Sequence, residues 1–263
     1  MHVELAVEKN YEKQFSICTI VNNPEEYLMM QESFLSKGFK ENTQYLVANN
    51  TGKNKFDAYS ATRRFLQETI GRYIIIVHQD VRCIDDAERL TDTLDKLQVK
   101  DPLWAICGNA GANGYKNFII NMNDNGKVKT HPGLPLKVTS LDENLLIIKS
   151  DAQITCSADL KGFHFYGTDL CIIADFLGYT CYVINFMVNH LSSGNLKQMN
   201  DYAPAFINTY GRKFRERLIQ TTCTKFYLAD SSSKNRMYNK PYIFFWVKAA
   251  HRFTKLFKKN SFT

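Results

Sequence analysis

The sequence predicts an α/β fold in which helices flank a mixed, mainly parallel sheet. Over the first 100 residues, apolar runs of strand length alternate with amphipathic runs of helix length. This spacing is typical of parallel strands that are joined by right-handed crossovers. Residues 74–77 are four consecutive branched apolar residues, as in a strand that is buried on both faces. The run stops at His78, Gln79 and Asp80, so polar side chains follow the carboxyl end of this strand, where open α/β sheets bind ligands.

Start and stop signals delimit each element of this first part. An apolar strand at residues 15–21 ends at two asparagines, and Pro24 begins a helix that Gly38 stops. Residues 45–48 form a second strand, and residues 57–69 form an amphipathic helix that Gly71 closes. The strand through Val81 follows, and then Asp85 or Asp86 caps a helix that ends near Leu97. Residues 1–100 are therefore predicted to be a nucleotide-binding half.

The second part, residues 101–210, is predicted to complete one domain that spans residues 1–210. A strand at 104–107 enters a glycine-rich loop at 108–114, a hairpin turns at 123–126, and a helix at 170–177 precedes a strand at 182–184. The glycine-rich loop lacks the spacing of a dinucleotide fingerprint, and the first strand is followed by Asn-Asn-Pro. Both features disfavour a Rossmann-type oxidoreductase.

Charge and cysteine content restrict the class of protein. The formal net charge of the 263 residues is +7, but eight basic residues and no acidic one follow Ser231, which leaves 25 basic and 26 acidic residues before it. A nucleic-acid-binding core carries a basic face of its own, so we expect no nucleic-acid partner. Seven cysteines without a C-x-x-C pair predict buried thiols in a reducing compartment. With no signal-peptide pattern and no apolar run of membrane-spanning length, the prediction is a cytoplasmic protein.

The basic residues belong to a predicted helical extension at residues 211–263. Within it, the pattern of residues 242–257 places aromatic and apolar side chains opposite lysines and arginines. Such a helix suits the surface of an anionic membrane, and residues 242–259 are predicted to bind there. The alternative is that the apolar stripe packs on the domain and the lysines are only solvated.

Four motifs in residues 15–195 carry a resemblance to a known family. They are the strand end Ile20-Val21-Asn22-Asn23, the pair Asn49-Asn50 with the following helix, the triplet His78-Gln79-Asp80, and Gly167-Thr168-Asp169-Leu170-Cys171 with the later His190. In this order they resemble bacterial glycosyltransferases of the GT-A fold, similar to family-two-like enzymes of surface-polysaccharide and lipopolysaccharide assembly. The resemblance implies a GT-A fold and hexosyl transfer from a UDP- or dTDP-linked donor to a saccharide or lipid-linked acceptor. Together with the helix at residues 242–259, it predicts a protein that lies on the inner face of the cell membrane.

The resemblance also implies roles for single residues. Asp80 and His190 would hold Mn²⁺ or Mg²⁺, which neutralises the leaving diphosphate, and Asp169 would be the general base of an inverting transfer. The residues expected to contact the nucleotide or donor are Val21, Asn22, Asn49, Asn50, Arg63, His78, Gln79 and Asp80. The residues expected to contact the acceptor or sugar are Gly111, Asp142 and His164.

The sequence departs from the family pattern in two places. His78 stands where a D-x-D motif has its first carboxylate, so its imidazole could face the ribose or diphosphate or bind a softer metal such as Mn²⁺. The acidic motif keeps one carboxylate, Asp169, which could instead cap its helix. Asn49 and Asn50 could simply shape a turn, Asp142 could belong to an acidic turn between strands, and His190 could be a hydrogen-bonded loop histidine. A catalytically inactive nucleotide-sugar-binding partner subunit is therefore the alternative function.

Overall fold

The computed structural model describes residues 10–114, 116–192 and 196–259, and of residues 196–198 and 251–259 it describes the backbone alone. The chain forms two compact units, Met1–Ala203 and Pro204–Thr263. The strands are β1 (Lys13–Val21), β2 (Thr43–Asn49), β3 (Gly71–Val77), β4 (Val81–Cys83), β5 (Trp104–Gly108), β6 (Ala110–Ala112), β7 (Phe118–Ile120), β8 (Met122–Asp124), β9 (Lys127–Lys129), β10 (Leu136–Val138), β11 (Ser140–Leu141), β12 (Leu145–Lys149), β13 (Thr180–Val183), β14 (Val188–His190), β15 (Arg217–Gln220) and β16 (Lys225–Leu228). The α-helices are α1 (Pro24–Ser36), α2 (Ala58–Glu68), α3 (Ala87–Lys100), α4 (Tyr166–Phe176), α5 (Leu196–Lys213), α6 (Ser232–Tyr238) and α7 (Pro241–Lys259).

The first unit is built on a seven-stranded sheet in the order β10–β13–β5–β12–β3–β1–β2. β1 pairs in parallel with both β2 and β3, and β13 pairs in parallel with β5. β12 runs antiparallel between β3 and β5, and β10 runs antiparallel at one edge. Five of the seven strands therefore point the same way. The predicted fold class, a mixed and mainly parallel sheet with flanking helices, is confirmed, and it is consistent with the Rossmann-like GT-A fold.

The centre of the sheet is apolar on both faces, as the branched run in β3 predicts. Ile74, Ile75, Ile76 and Val77 are each at most 2% exposed. Burying a side chain of this size stabilises the fold by about 1.5–3 kcal/mol. On one face, the core contains buried residues of β3, α1 and α3: Tyr73, Ile75, Val77, Met30, Phe34, Leu90, Leu94 and Leu97.

Side-chain caps fix where the first three helices begin. Asn23 Oδ1 accepts hydrogen bonds from the backbone N–H groups of Glu25 (3.1 Å) and Glu26 (3.4 Å), and so begins α1. Asp57 forms a capping box with Ser60 at the start of α2. Asp86 Oδ1 accepts from the N–H of residue 89 at 2.8 Å, so Asp86 caps α3. These contacts satisfy amide groups that have no partner within the helix.

Two predicted boundaries are wrong. The strand predicted to run through Val81 ends at Val77, because the backbone turns at residues 78–80 and the Val81 N–H bonds to the His78 carbonyl at 3.2 Å. β4 then joins a different sheet, ordered β4–β14–β8–β9. Helix α4 begins at Tyr166 and not near residue 170, since Phe165 adopts a left-handed conformation (φ 66°) that redirects the chain into the helix.

The second unit contains the last turns of α5, the β15–β16 hairpin, α6 and α7. Lys234 on α6 holds the hairpin by ion pairs to Glu216 (2.9 Å) and Asp230 (3.0 Å). In α7, Trp246 is 71% exposed. Among the described residues, no helix combines the length and the apolar character that a membrane span requires. Six cysteines are buried as free thiols, and Cys223 is exposed.

Candidate metal centre

Three polar side chains converge beyond the carboxyl end of β3. His78 and Asp80 lie in the turn between β3 and β4, and His190 is the last residue of β14. β14 pairs antiparallel with β4, which places His190 opposite Val81 and therefore beside Asp80. One potential ligand atom from each of the three side chains lies within 4.8 Å of the other two. Pairing between β4 and β14 thus assembles a cluster from residues more than 100 positions apart.

Asp80 occupies the middle of this cluster. Its Oδ2 lies 3.6 Å from His190 Nε2 and accepts a hydrogen bond from the Ser192 hydroxyl. Its Oδ1 is buried and has no hydrogen-bond partner in the described part of the chain. Burial alone would raise the pKa of Asp80, but the bonds from His190 and Ser192 outweigh it and hold that pKa well below its usual range. Asp80 is therefore a carboxylate at neutral pH with one oxygen unpartnered.

The two imidazoles differ in their electrostatics. Burial lowers the pKa of His78, so this ring is neutral at pH 7, and its Nδ1 lies 4.0 Å from Asp80 Oδ1. The close contact with the carboxylate of Asp80 raises the pKa of His190. A metal at this position would therefore displace a proton from His190.

These groups fit a divalent cation. The buried Asp80 Oδ1 would otherwise carry an uncompensated desolvation penalty, and a neutral imidazole nitrogen faces it. Carboxylate oxygen suits Mg²⁺ and Mn²⁺, whereas two imidazoles shift the preference toward a transition metal. The predicted metal ligands Asp80 and His190 thus lie in one cluster that can bind a metal. His78, which was predicted to contact the nucleotide donor, is a third potential ligand in this cluster.

Gln79 links the ends of β1 and β3. Its Oε1 accepts hydrogen bonds from the backbone N–H groups of Asn22 and Asn23, each at 3.1 Å, and its Nε2 donates to Asn22 Oδ1 at 2.5 Å. Val21, the last residue of β1, is buried, and its carbonyl accepts from the Asn50 N–H at 2.7 Å. The predicted donor residues Val21, Asn22 and Gln79 therefore lie together at one edge of the sheet.

Asn49 and Asn50 shape the loop after β2. Asn50 Oδ1 accepts from the N–H groups of Lys55 (2.9 Å) and Phe56 (3.0 Å), and its Nδ2 donates to the Phe56 carbonyl at 2.8 Å. Asn49 Oδ1 accepts from the Thr51 N–H at 2.8 Å. The turn-shaping alternative therefore describes these contacts, because both polar atoms of Asn50 and Oδ1 of Asn49 are engaged by their own loop.

Arg63 and Asp169 both form hydrogen bonds with Ser157. Arg63 Nη1 donates to the Ser157 carbonyl at 2.9 Å. Asp169 is fully buried, and its two oxygens accept from the Ser157 N–H (2.7 Å) and hydroxyl (2.5 Å). The alternative that Asp169 caps its helix is wrong, because α4 begins three residues earlier and Phe165 is its cap residue. In this structure, Asp169 joins Ser157 to α4.

The predicted acceptor residues have different surroundings. Gly111 on β6 lies so close to the Ser140 carbonyl that a side chain there would collide with it, so pairing with β11 accounts for this glycine. Asp142 is exposed, and its charge raises the pKa of His78, whereas His164 lowers it. His164 Nε2 is buried without a hydrogen-bond partner among the described residues. Asp142 and His164 are therefore within electrostatic range of the cluster.

Sequence reasoning missed Tyr166 and Ser192 near the cluster, and it considered Glu143 only as part of the acidic pair 142–143 that could contact the sugar or acceptor. Glu143 is half-buried, and burial together with the charge of Asp142 raises its pKa to about 8. Its Oε1 accepts from the Gly167 N–H at 3.3 Å, at the start of α4. The adjacent acids 142 and 143 were visible in the sequence, but the fold decides which of them is desolvated. No signal in the sequence indicated Tyr166, which contacts His78 across 88 positions.

Comparison with known proteins shows the family. No family model matches the chain. A protein of Fuscovulum blasticum, named ATP synthase subunits region ORF 6, is 32% identical over 185 residues, which are 67% of this chain and 74% of that protein. The chain belongs to the family of that protein. The name of this relative describes a gene region and states no activity.

Two solved structures have a distant likeness to the chain. A197 from STIV is 10% identical with a TM-score of 0.42, over 68% of this chain and 86% of A197. S. aureus TarS is 13% identical with a TM-score of 0.47, over 65% of this chain and 35% of TarS.

Proposed function

We propose that the chain is a metal-dependent, inverting glycosyltransferase that moves a hexose from a UDP- or dTDP-linked donor to a saccharide or lipid-linked acceptor in cell-surface glycan synthesis. The observation that carries the proposal is the cluster of His78, Asp80 and His190 at the carboxyl end of β3, beside the loop that ends β1. Open α/β sheets bind nucleotides at this edge. A divalent cation held there supplies a Lewis acid that stabilises the leaving diphosphate.

Residues of the chain would bind the cation and fix the loop beside it. Asp80, His78 and His190 hold the cation, and Mn²⁺ is favoured over Mg²⁺ because two of the three ligands are imidazoles. Gln79 holds the loop at Asn22 against the end of β3 by hydrogen bonds. These bonds would keep the loop in a fixed position beside the bound nucleotide. Such fixed positioning lowers the entropic barrier to transfer.

Two carboxyl groups are candidates for the general base that deprotonates the acceptor. The family resemblance favours Asp169. Glu143 is the second candidate, because it is half-buried near Tyr166 and has a pKa of about 8. A base is most effective when its pKa lies close to the working pH.

The proposal is tested by thermal unfolding of the full chain with UDP, dTDP, GDP, CMP or NAD⁺, each with and without Mn²⁺ or Mg²⁺. A ligand that binds the native state raises its stability, by about 2.7 kcal/mol at 100 times its Kd. We expect UDP or dTDP to stabilise the protein only with metal, and Asp80→Ala to abolish this effect. Asp92→Ala is the matched control, since Asp92 is an exposed aspartate that pairs with Lys96 on α3.

Three results would point elsewhere. Metal-independent stabilisation by NAD⁺ would restore the oxidoreductase interpretation. Nucleotide-sugar binding without hydrolysis or transfer of the sugar would favour the inactive partner subunit. Two histidines and one carboxylate also form the metal site of non-haem iron(II) oxygenases, so stabilisation by Fe²⁺ that no nucleotide enhances would overturn the proposal.

The second part of the proposal concerns location. Residues 242–259 would dock the protein on the inner, anionic face of the cell membrane, where lipid-linked acceptors lie. The exposed aromatic residues Tyr242, Phe245 and Trp246 and the absence of acidic residues after Asp230 support this.

A further inference from the structure

The inference concerns how His78 is prepared for metal binding, and so it rests on the metal centre of the proposed function. A neutral imidazole carries one proton, either on Nδ1 or on Nε2, and only the other nitrogen can bind a metal. In metal sites, the hydrogen bond made by the non-ligating nitrogen selects the tautomer. The nitrogen of His78 that lies away from Asp80 is Nε2, and its partner is the hydroxyl of Tyr166 at 3.2 Å.

The direction of this hydrogen bond follows from the second contact of Tyr166. The Tyr166 hydroxyl also lies 3.2 Å from the backbone carbonyl of Glu143. A carbonyl can only accept, and a phenol has one proton to donate. The Tyr166 hydroxyl therefore donates its hydrogen bond to the backbone carbonyl of Glu143, because otherwise lone pairs of the two oxygens would face each other. The Tyr166 oxygen must then accept, so His78 Nε2 carries the proton.

We propose that Tyr166 is a positioning residue that holds His78 in its Nε2–H tautomer and so directs the unprotonated Nδ1 toward Asp80. The side chain of Tyr166 is 2% exposed, so water cannot easily replace its hydroxyl. The His78 backbone is fixed as well, since its N–H donates to the Asn144 carbonyl at 3.1 Å, one residue after Glu143. The segment 143–144 and Tyr166 thus orient one ring from two sides.

The experiment measures the tautomer directly in the metal-free, full-length protein by ¹H–¹⁵N correlation spectra of the histidine rings, with His78 assigned from the signals lost in His78→Gln. We expect the Nε2–H pattern for His78 in the wild type and a mixed or Nδ1–H pattern in Tyr166→Phe. Calorimetric titration with Mn²⁺ is expected to give about 10- to 100-fold weaker binding for Tyr166→Phe.

Tyr59→Phe is the matched control. Tyr59 is 1% exposed, its ring packs edge-on against Tyr166 at 6.3 Å, and its hydroxyl donates to the His164 carbonyl at 3.0 Å. The same substitution there removes a buried hydroxyl without touching His78, so tautomer and Mn²⁺ affinity are expected to stay at wild-type values.

An Nδ1–H pattern in the wild type, or an unchanged tautomer in Tyr166→Phe, would overturn the role of Tyr166. If Tyr166→Phe does not fold while Tyr59→Phe does, the wild-type tautomer decides alone: Nε2–H supports the role and Nδ1–H contradicts it. A wild-type protein that binds no metal would overturn the metal centre and the transferase proposal, while the tautomer would still report on Tyr166.

Discussion

Glu143 and Asp169 are two carboxyl groups with opposite surroundings. Asp169 is fully buried, but two hydrogen bonds from Ser157 compensate its desolvation. The carboxyl group of Glu143 accepts from the Gly167 N–H, but burial and the neighbouring charge of Asp142 oppose its ionisation and raise its pKa. A carboxylate that accepts several hydrogen bonds is stabilised in place, whereas one with a pKa of about 8 can exchange a proton near neutral pH. These contacts favour a structural role for Asp169 and make Glu143 the better candidate for the proposed proton transfer.

We predict that Glu143→Gln lowers kcat by about 10²- to 10⁴-fold while donor binding is retained, because the substitution removes a base without changing its shape. Asp169→Asn is expected to lower the free energy of unfolding by about 1–3 kcal/mol, since the amide N–H would face a hydrogen-bond donor of Ser157. Turnover of the donor that stabilises the protein and urea unfolding of both variants check this. A loss of kcat in a fully stable Asp169→Asn protein would return the base to Asp169.

At the scale of residues, the sequence predicted the cluster only in part. Asp80 and His190 could be assigned because polar groups after a buried strand and a late histidine follow a family order. The contact between Ser157 and Asp169 could not be predicted, because it crosses a loop and depends on where α4 begins. Tyr166 was hidden for the same reason, since a residue in an apolar segment gives no sign of what its hydroxyl will meet.

Helix α3 is tied to two strands by one aspartate at its carboxyl end. Asp101 accepts hydrogen bonds from Thr180 (2.7 Å) and Tyr182 (2.8 Å) of β13, and it pairs with Lys137 of β10 at 3.3 Å. Burial would raise the pKa of Asp101, but these bonds and one from the Leu103 N–H lower it to about 2. This contact closes the outer edge of the sheet.

The depressed pKa of Asp101 predicts a pH dependence of stability. An aspartate has a pKa of about 3.9 in the unfolded chain, so the contribution of Asp101 is complete above that value and is lost as pH falls toward about 2. We expect Asp101→Asn to cost about 1.5 kcal/mol at pH 7, after allowance for solvent screening, and almost nothing at pH 2. Urea unfolding across this range checks it, with Asp92→Asn as the exposed control. An equal loss at pH 7 and pH 2 would contradict the prediction.

At the scale of elements, predictability followed local signals. β1, α1, β2, α2 and the start of α3 were predicted well because apolar runs, Pro24 and the capping Asp57 and Asp86 act within a few residues. The break between β3 and β4 was not predicted, since the alternative sheet that β4 joins contains β14, more than 100 residues later. Long-range pairing of short strands leaves little trace in local sequence.

The whole molecule divides its charge between two parts. The residues up to 230 carry a net charge of −1, and all eight charged residues after them are basic. Electrostatic attraction to an anionic surface should therefore act through the second unit, in which Tyr242, Phe245 and Trp246 are exposed beside Lys240 and Lys248. Aromatic side chains at a membrane interface add apolar burial to this attraction.

We predict that the full chain sediments with vesicles that contain phosphatidylserine or phosphatidylglycerol and not with pure phosphatidylcholine vesicles. Each basic residue near the surface contributes about 1 kcal/mol, so the double reversal Lys240→Glu with Lys248→Glu should weaken binding at least about 30-fold. The reversal of Lys53 and Lys127, two exposed lysines of the first unit, makes the same change in net charge and is expected to have little effect.

Since salt screens such attraction, binding should also fall between about 0.1 and about 0.5 M ionic strength. An equal loss in both double variants would show that overall charge and not the α7 region drives binding, and equal binding to neutral vesicles would exclude an electrostatic docking surface.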